Sequence, residues 1–170
     1  DSSCFPGAAR IETDDGKYIR MNELKVGDRI RVGSDKFSEV FMFTHKLKHT
    51  RNEFVRIEVA SGHSLALTAG HYLYVNGNLR AAGSVRVDDV LTLSNGESSS
   101  VLRTELVNME GLFNPQTMDG RIVVDDILAS TYTQAVRPAI AHALLAPVRL
   151  FHHLGWSPLK NAFHSTTYGL

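Results

Sequence analysis

A thiol, a hydroxyl and an imidazole in this chain have the types and spacing to break and remake an acyl bond. Cys4 is the only cysteine among 170 residues and lies in Asp1-Ser2-Ser3-Cys4-Phe5-Pro6-Gly7. A lone thiol has no internal disulfide partner. It is either an inert packing residue, since free cysteine fills cores well, or a nucleophile. A nucleophile needs a neighbouring group to activate it. Thr68-Ala69-Gly70-His71 supplies an imidazole with a hydroxyl three residues ahead. Imidazole gives and takes protons near neutral pH. The alternative for Thr68 and His71 is a mutually satisfied pair at a strand-to-turn corner. Cys4, His45 and His71 are also the ligand types that Zn²⁺ prefers, so their convergence would predict inhibition by zinc rather than a structural metal.

The elements that must position these groups read as β. Arg10 to Glu12, Tyr18 to Met21 and Arg29 to Val32 are short extended segments separated by Asp14-Asp15-Gly16 and Val26-Gly27-Asp28. Glu39 to Thr44 is rich in aromatic and branched side chains, and Phe54 to Val59 alternates apolar with charged residues. Ser64 to Thr68 alternates again, and Tyr72 to Val75 runs into the hairpin signal Asn76-Gly77. Short strands at close spacing predict an all-β domain.

The chain also repeats itself. Leu24-Lys25-Val26-Gly27-Asp28-Arg29-Ile30-Arg31-Val32 has a counterpart in Val85-Arg86-Val87-Asp88-Asp89-Val90-Leu91-Thr92-Leu93, with Asp28 matching Asp89. Gly62 to Leu67 resembles Gly120 to Asp125 at a similar offset, which sets Thr68 opposite Asp126 and His71 opposite Ala129. Two matches in the same order predict a duplicated β unit and a pseudo-twofold body. Only the first half carries the thiol-activating pair.

Composition bounds the partners. Hydrophobic residues make up 43% and charged residues 21%, ordinary for a domain with a real core. Lys+Arg and Asp+Glu are equal at 18 each, which argues against a phosphate backbone as the main partner. No apolar run is long enough to span a membrane, and no export leader opens the sequence. The expectation is a cytosolic protein or a piece of a larger precursor, and a monomer. Asp126 is the last acidic residue, and the stretch after it carries only Arg137, Arg149, Lys160 and four histidines beyond neutral residues. Pro138 in a starting position, good helix formers to Leu154 and Gly155 as a stop predict a helical tail over 136–170, interrupted at Pro147. That tail either docks on the β body or meets a lipid, sterol or membrane surface.

Cys4-Phe5-Pro6-Gly7, the Leu24 to Arg29 turn, Thr68-Ala69-Gly70-His71, Gly120-Arg121-Ile122-Val123-Val124, Ala129-Ser130-Thr131-Tyr132 and His142 to Leu150 together resemble the C-terminal autoprocessing domain of hedgehog proteins, the hedgehog branch of the Hint fold shared with inteins. The resemblance implies a Hint domain over 4–135, a sterol-recognition tail over 136–170, and residues 1–3 as the end of an upstream polypeptide or a remnant of preparation. It implies that Cys4 attacks the carbonyl of Ser3 to form a thioester, with His71 protonating the leaving amine and Thr68 holding the scissile peptide. It implies transfer of the upstream polypeptide to a cholesterol-type hydroxyl, a membrane-facing tail, no nucleic-acid partner, no cofactor, and a product in the secretory pathway.

Three departures qualify that expectation. His45 occupies the position of the family's aspartate general base; a neutral imidazole can accept a hydroxyl proton, whereas a solvated role in His45-Lys46-Leu47-Lys48-His49 would leave discharge to water or another nucleophile. Ser3 precedes the thiol where the family has glycine, and Thr131 stands where it often has a second cysteine. The chain lacks the terminal His-Asn pair that inteins use, so cleavage and transfer are expected rather than ligation. A lipid-binding β module with an inert Cys4 is the competing expectation.

Overall fold

The computed structural model describes residues 4–133. Apolar residues alternate along most of this stretch, and it folds as eleven strands and two single-turn 3₁₀ helices. The first half runs β1 (Arg10–Glu12), β2 (Tyr18–Arg20), a 3₁₀ turn (Met21–Glu23), β3 (Arg29–Gly33), the long β4 (Lys36–Val59) and β5 (Ser64–Leu67). The second repeats that order: β6 (His71–Val75), β7 (Asn78–Ala81), a 3₁₀ turn (Ala82–Ser84), β8 (Val90–Thr92), the long β9 (Ser98–Thr117) and β10 (Arg121–Val124). β11 (Ile127–Thr133) closes the described chain. The all-β class and the duplicated plan are therefore both present. The expected helical tail and sterol-recognition region over 136–170 lie outside the described residues.

The duplication holds at the level of single hydrogen bonds. In the first copy Lys25 N donates to the Asp28 carboxylate at 2.9 Å, Gly27 N to Val40 O at 2.8 Å, and Val40 N to Asp28 O at 2.9 Å. In the second, Arg86 N donates to the Asp89 carboxylate at 2.8 Å, Asp88 N to Val101 O at 2.9 Å, and Val101 N to Asp89 O at 2.7 Å. The matched aspartates are thus turn-closing acceptors, the local role their side chains favour.

β4 and β9 are the axis of the molecule. They pair antiparallel from Val40↔Thr117 to Val59↔Val101, and each is longer than the sequence pattern indicated. Register shifts at four places interrupt the alternation along them, which hid their continuity. The sheet order β10-β11-β6-β8-β9-β4-β3 wraps a nearly closed, barrel-like body. Its core takes side chains from both halves, including Phe5, Ile30, Ile57, Leu73, Leu91, Phe113 and Ile122.

Candidate functional site

The N-terminal segment is held as an extra partner on β9. Phe5 and Phe113 exchange backbone hydrogen bonds of 2.8 and 2.9 Å, and Gly7 N donates to Glu110 O at 3.0 Å. Gly111 makes this approach possible: its φ is +97°, and a Cβ there would lie 2.7 Å from Gly7 N.

That docking buries Cys4 completely and clasps its backbone. Cys4 N donates to Thr68 Oγ1 at 2.7 Å, and Thr68 N donates back to Cys4 O at 2.9 Å. Thr68 follows the end of β5, where the chain turns toward β6. His71 N closes that turn on Thr68 O at 3.0 Å. The His71 ring, fully buried, lies against the Phe5 ring with centroids 4.3 Å apart and planes tilted by 54°. Its Nε2 is 2.7 Å from Ser130 O on β11. A carbonyl only accepts, so Nε2 carries the proton, and Nδ1 is the basic nitrogen of the neutral ring. Residues 64 positions apart in sequence therefore share one enclosure. Burial also pushes the Cys4 thiol well above the usual range, so the resting group is a thiol.

His45 lies on β4, opposite Asn114 of β9. It is half-buried, and burial pulls its imidazole below the usual histidine range, keeping the neutral base present at neutral pH. One step beyond the Phe5↔Phe113 bridge, Cys4 falls opposite the same Asn114. Cys4, Asn114 and His45 thus form one row across three backbones. Strand spacing of about 4.8 Å puts the outer two roughly 10 Å apart. Among the described residues no group of three His, Cys, Asp or Glu side chains is disposed to hold a metal. Cys4, His45 and His71 are not gathered into such a group.

The structure brings Cys4, Thr68 and His71 together and sets His45 one strand further away. Ser3 lies outside the described residues. Thr131 is buried and donates from Oγ1 to Gly120 O at 3.2 Å, a turn-holding bond on the second half. Sequence reasoning missed Asn114 and Ser130. Ser130 works through its backbone carbonyl, which no side-chain pattern reports. Asn114 precedes Pro115 inside a strand, and that break in the alternation was its one signal.

One correction follows from the second half. Arg10 N donates to Asp125 Oδ1 at 3.1 Å, and Asp125 N returns a bond of 2.9 Å to Arg10 O. This is the Cys4–Thr68 clasp again, so the counterpart of Thr68 is Asp125 and not Asp126. The β4–β5 connection is one residue longer than the β9–β10 connection, which displaces the sequence match beyond it.

Comparison with known proteins agrees with this architecture. The family model described as Hint module matches residues 1–168. The Tiggy-winkle hedgehog protein of Danio rerio is 34% identical over 168 residues, covering 89% of this chain and 40% of that protein. Protein hedgehog of Drosophila virilis is 31% identical over 172 residues, covering 92% of this chain and 36% of that protein. The chain spans about two fifths of the length of these curated relatives. Among solved structures, the gp41-1 intein superposes with a TM-score of 0.67 at 14% identity, covering 76% of this chain and 99% of the intein. A bacterial intein-like domain from Clostridium thermocellum gives 0.63 at 20% identity, covering 76% of this chain and 99% of that domain.

Proposed function

Because this chain belongs to the Hint family, an autoprocessing fold, we propose that it cleaves the peptide bond before Cys4 through an internal thioester and passes the upstream polypeptide to an external nucleophile. The observation that carries this is the clasp: the nitrogen that must leave is fixed on Thr68 Oγ1 at 2.7 Å, inside the enclosure that holds His71.

The first step moves one proton and one acyl group. Cys4 Sγ adds to the preceding carbonyl, the C–N bond to Cys4 breaks, and the sulfur's proton ends on the new amine. A buried thiol does not ionise by itself, so this transfer needs a relay. His71 Nδ1 is the relay, accepting from sulfur and donating to nitrogen, with the Ser130 carbonyl holding the tautomer. Thr68 anchors the amide on both sides, so that the sulfur is delivered to one carbonyl face.

In the second step His45 is the general base. The acceptor favoured by the hedgehog likeness is a sterol hydroxyl. Support comes from the apolar surroundings of the thiol: Phe54, Ala66 and Leu112 cluster with Cys4, and Leu47, Val107 and Met109 pack against them. The same likeness carries the secretory route and a membrane-facing tail. A second reading, discharge to water without a sterol, is favoured by the buried amide oxygen of Asn114, which lacks a hydrogen-bond partner among the described residues.

A reporter protein fused ahead of Asp1 tests the first step. Dithiothreitol should release it before Cys4 in the parent and not in Cys4→Ala. Retained release in Cys4→Ala would refute the thioester. Sterol added without thiol then tests the second step: a sterol-linked reporter from the parent, and at least a tenfold slower transfer in His45→Ala, are expected. Because burial lowers the His45 pKa, the second step should stay active somewhat below pH 6.5 and lose rate only as the imidazole protonates.

A further inference from the structure

The carboxamide of Asn114 takes no part in these steps. Asn114 is 3% exposed, and its Oδ1 is buried without a hydrogen-bond partner among the described residues. A buried acceptor left dry costs about 1–3 kcal/mol. Its place in the sheet shows what it could serve. Cys4, Asn114 and His45 stand in one row, and side chains in a row share a face. Packing identifies that face: Leu112, two residues before Asn114, clusters with Cys4, and Leu47, two residues after His45, packs on the same cluster. Asn114 therefore belongs to the face of the thiol and the imidazole, with its backbone between theirs.

We propose that Asn114 Oδ1 and the His45 imidazole together seat a water molecule that attacks the Cys4 thioester, making hydrolysis a reaction of this site in its own right. The seat presupposes the thioester step proposed above. The distinction is one of hydrogens. Water brings two: one goes to the imidazole and the other to Asn114 Oδ1, leaving a lone pair for the acyl carbon. A sterol has one hydroxyl hydrogen, which must go to the base, so the amide oxygen would stay dry. Water is the one co-reactant. The water oxygen bonds to the acyl carbon as the C–S bond breaks. One water proton passes to His45 and from there to the departing sulfur. The products are an upstream polypeptide ending in a carboxylic acid and a free Cys4 thiol.

The experiment uses the full chain with the upstream reporter, in water enriched in ¹⁸O. Two rates are compared: release by dithiothreitol, which reads thioester formation, and thiol-free release carrying ¹⁸O in the new carboxylate. Their ratio cancels a partial loss of folded protein. Asn114→Ala should lower the hydrolysis-to-thiolysis ratio about tenfold, the loss of one hydrogen bond to the nucleophile. Asn114→Asp, which keeps an acceptor, should stay within about threefold of the parent. An unchanged ratio in Asn114→Ala, an equal fall in both variants, or a parent that dithiothreitol cleaves but water does not, would each overturn the seat. A parent that dithiothreitol fails to cleave instead refutes the thioester itself.

Discussion

The residues that follow β5 and β10, the last short strands of the two halves, hold the same clasp and put different chemistry into it. In the first, Cys4 and Thr68 exchange bonds of 2.7 and 2.9 Å; in the second, Arg10 and Asp125 exchange bonds of 3.1 and 2.9 Å. Both tie a passing N-terminal segment to the residue just after a short strand. The first clasp is enclosed beside an imidazole and uses a neutral hydroxyl. The second reaches solvent through Arg10, whose guanidinium lies over the Tyr18 ring at 4.6 Å, and uses a carboxyl group. Near the second clasp, β11 offers Ile127, Leu128 and Ala129 where the first clasp has His71. The clasp is therefore a structural device that the fold makes twice. Reactivity comes from the thiol and imidazole that only one copy received.

Breaking this contrast should give effects of graded size. Moving the thiol is the most severe: Arg10→Cys combined with Cys4→Ala should place a cysteine in an equivalent clasp and give no thiol-induced cleavage before residue 10, read by mass spectrometry. Cleavage there would mean that the clasp alone suffices. Next comes His71→Ala, which should slow thiol-induced cleavage by about 10²–10⁴-fold, the range for lost acid–base help, while circular dichroism still reports strands. Thr68→Ala should cost less, roughly ten- to a hundredfold, because it removes one buried hydrogen bond at the leaving nitrogen. Thr68→Asp copies the second half's acceptor, and parental rates from it would show that the hydroxyl is dispensable.

The smallest effect lies in the inactive half. Burial raises the Asp125 pKa from 3.8 to about 6. A folded-state pKa above the unfolded one means that folding takes up a proton between these values. Stability should fall as pH rises from about 4 to 6 and stay at its lower level above that. Asp125→Asn keeps an oxygen for Arg10 N and removes the titration. It should flatten the pH profile of thermal unfolding, raise neutral-pH stability by about 1–3 kcal/mol, and leave cleavage unchanged. A profile as steep as the parent's would place the titration elsewhere.

Parts of this were legible in the chain itself. The matched Asp28 and Asp89 turns were readable because an aspartate that closes a turn acts on its own neighbours. Short strands such as Ser64–Leu67 showed their alternation. The length of β4 and β9 was not readable, since bulges near Phe43 and Leu47 reset the period. The Thr68 counterpart was misplaced by one residue for a related reason, a turn longer by one in the first half.

Residue types alone determined which reactions are open: one thiol, one Thr-x-x-His imidazole, and a histidine at position 45. They also determined the all-β duplication, because turn chemistry and alternation are local properties. Only the folded chain decided which of these groups meet. Cross-strand register depends on pairing between residues far apart in sequence, and it alone put Asn114 between Cys4 and His45 and the Ser130 carbonyl on His71.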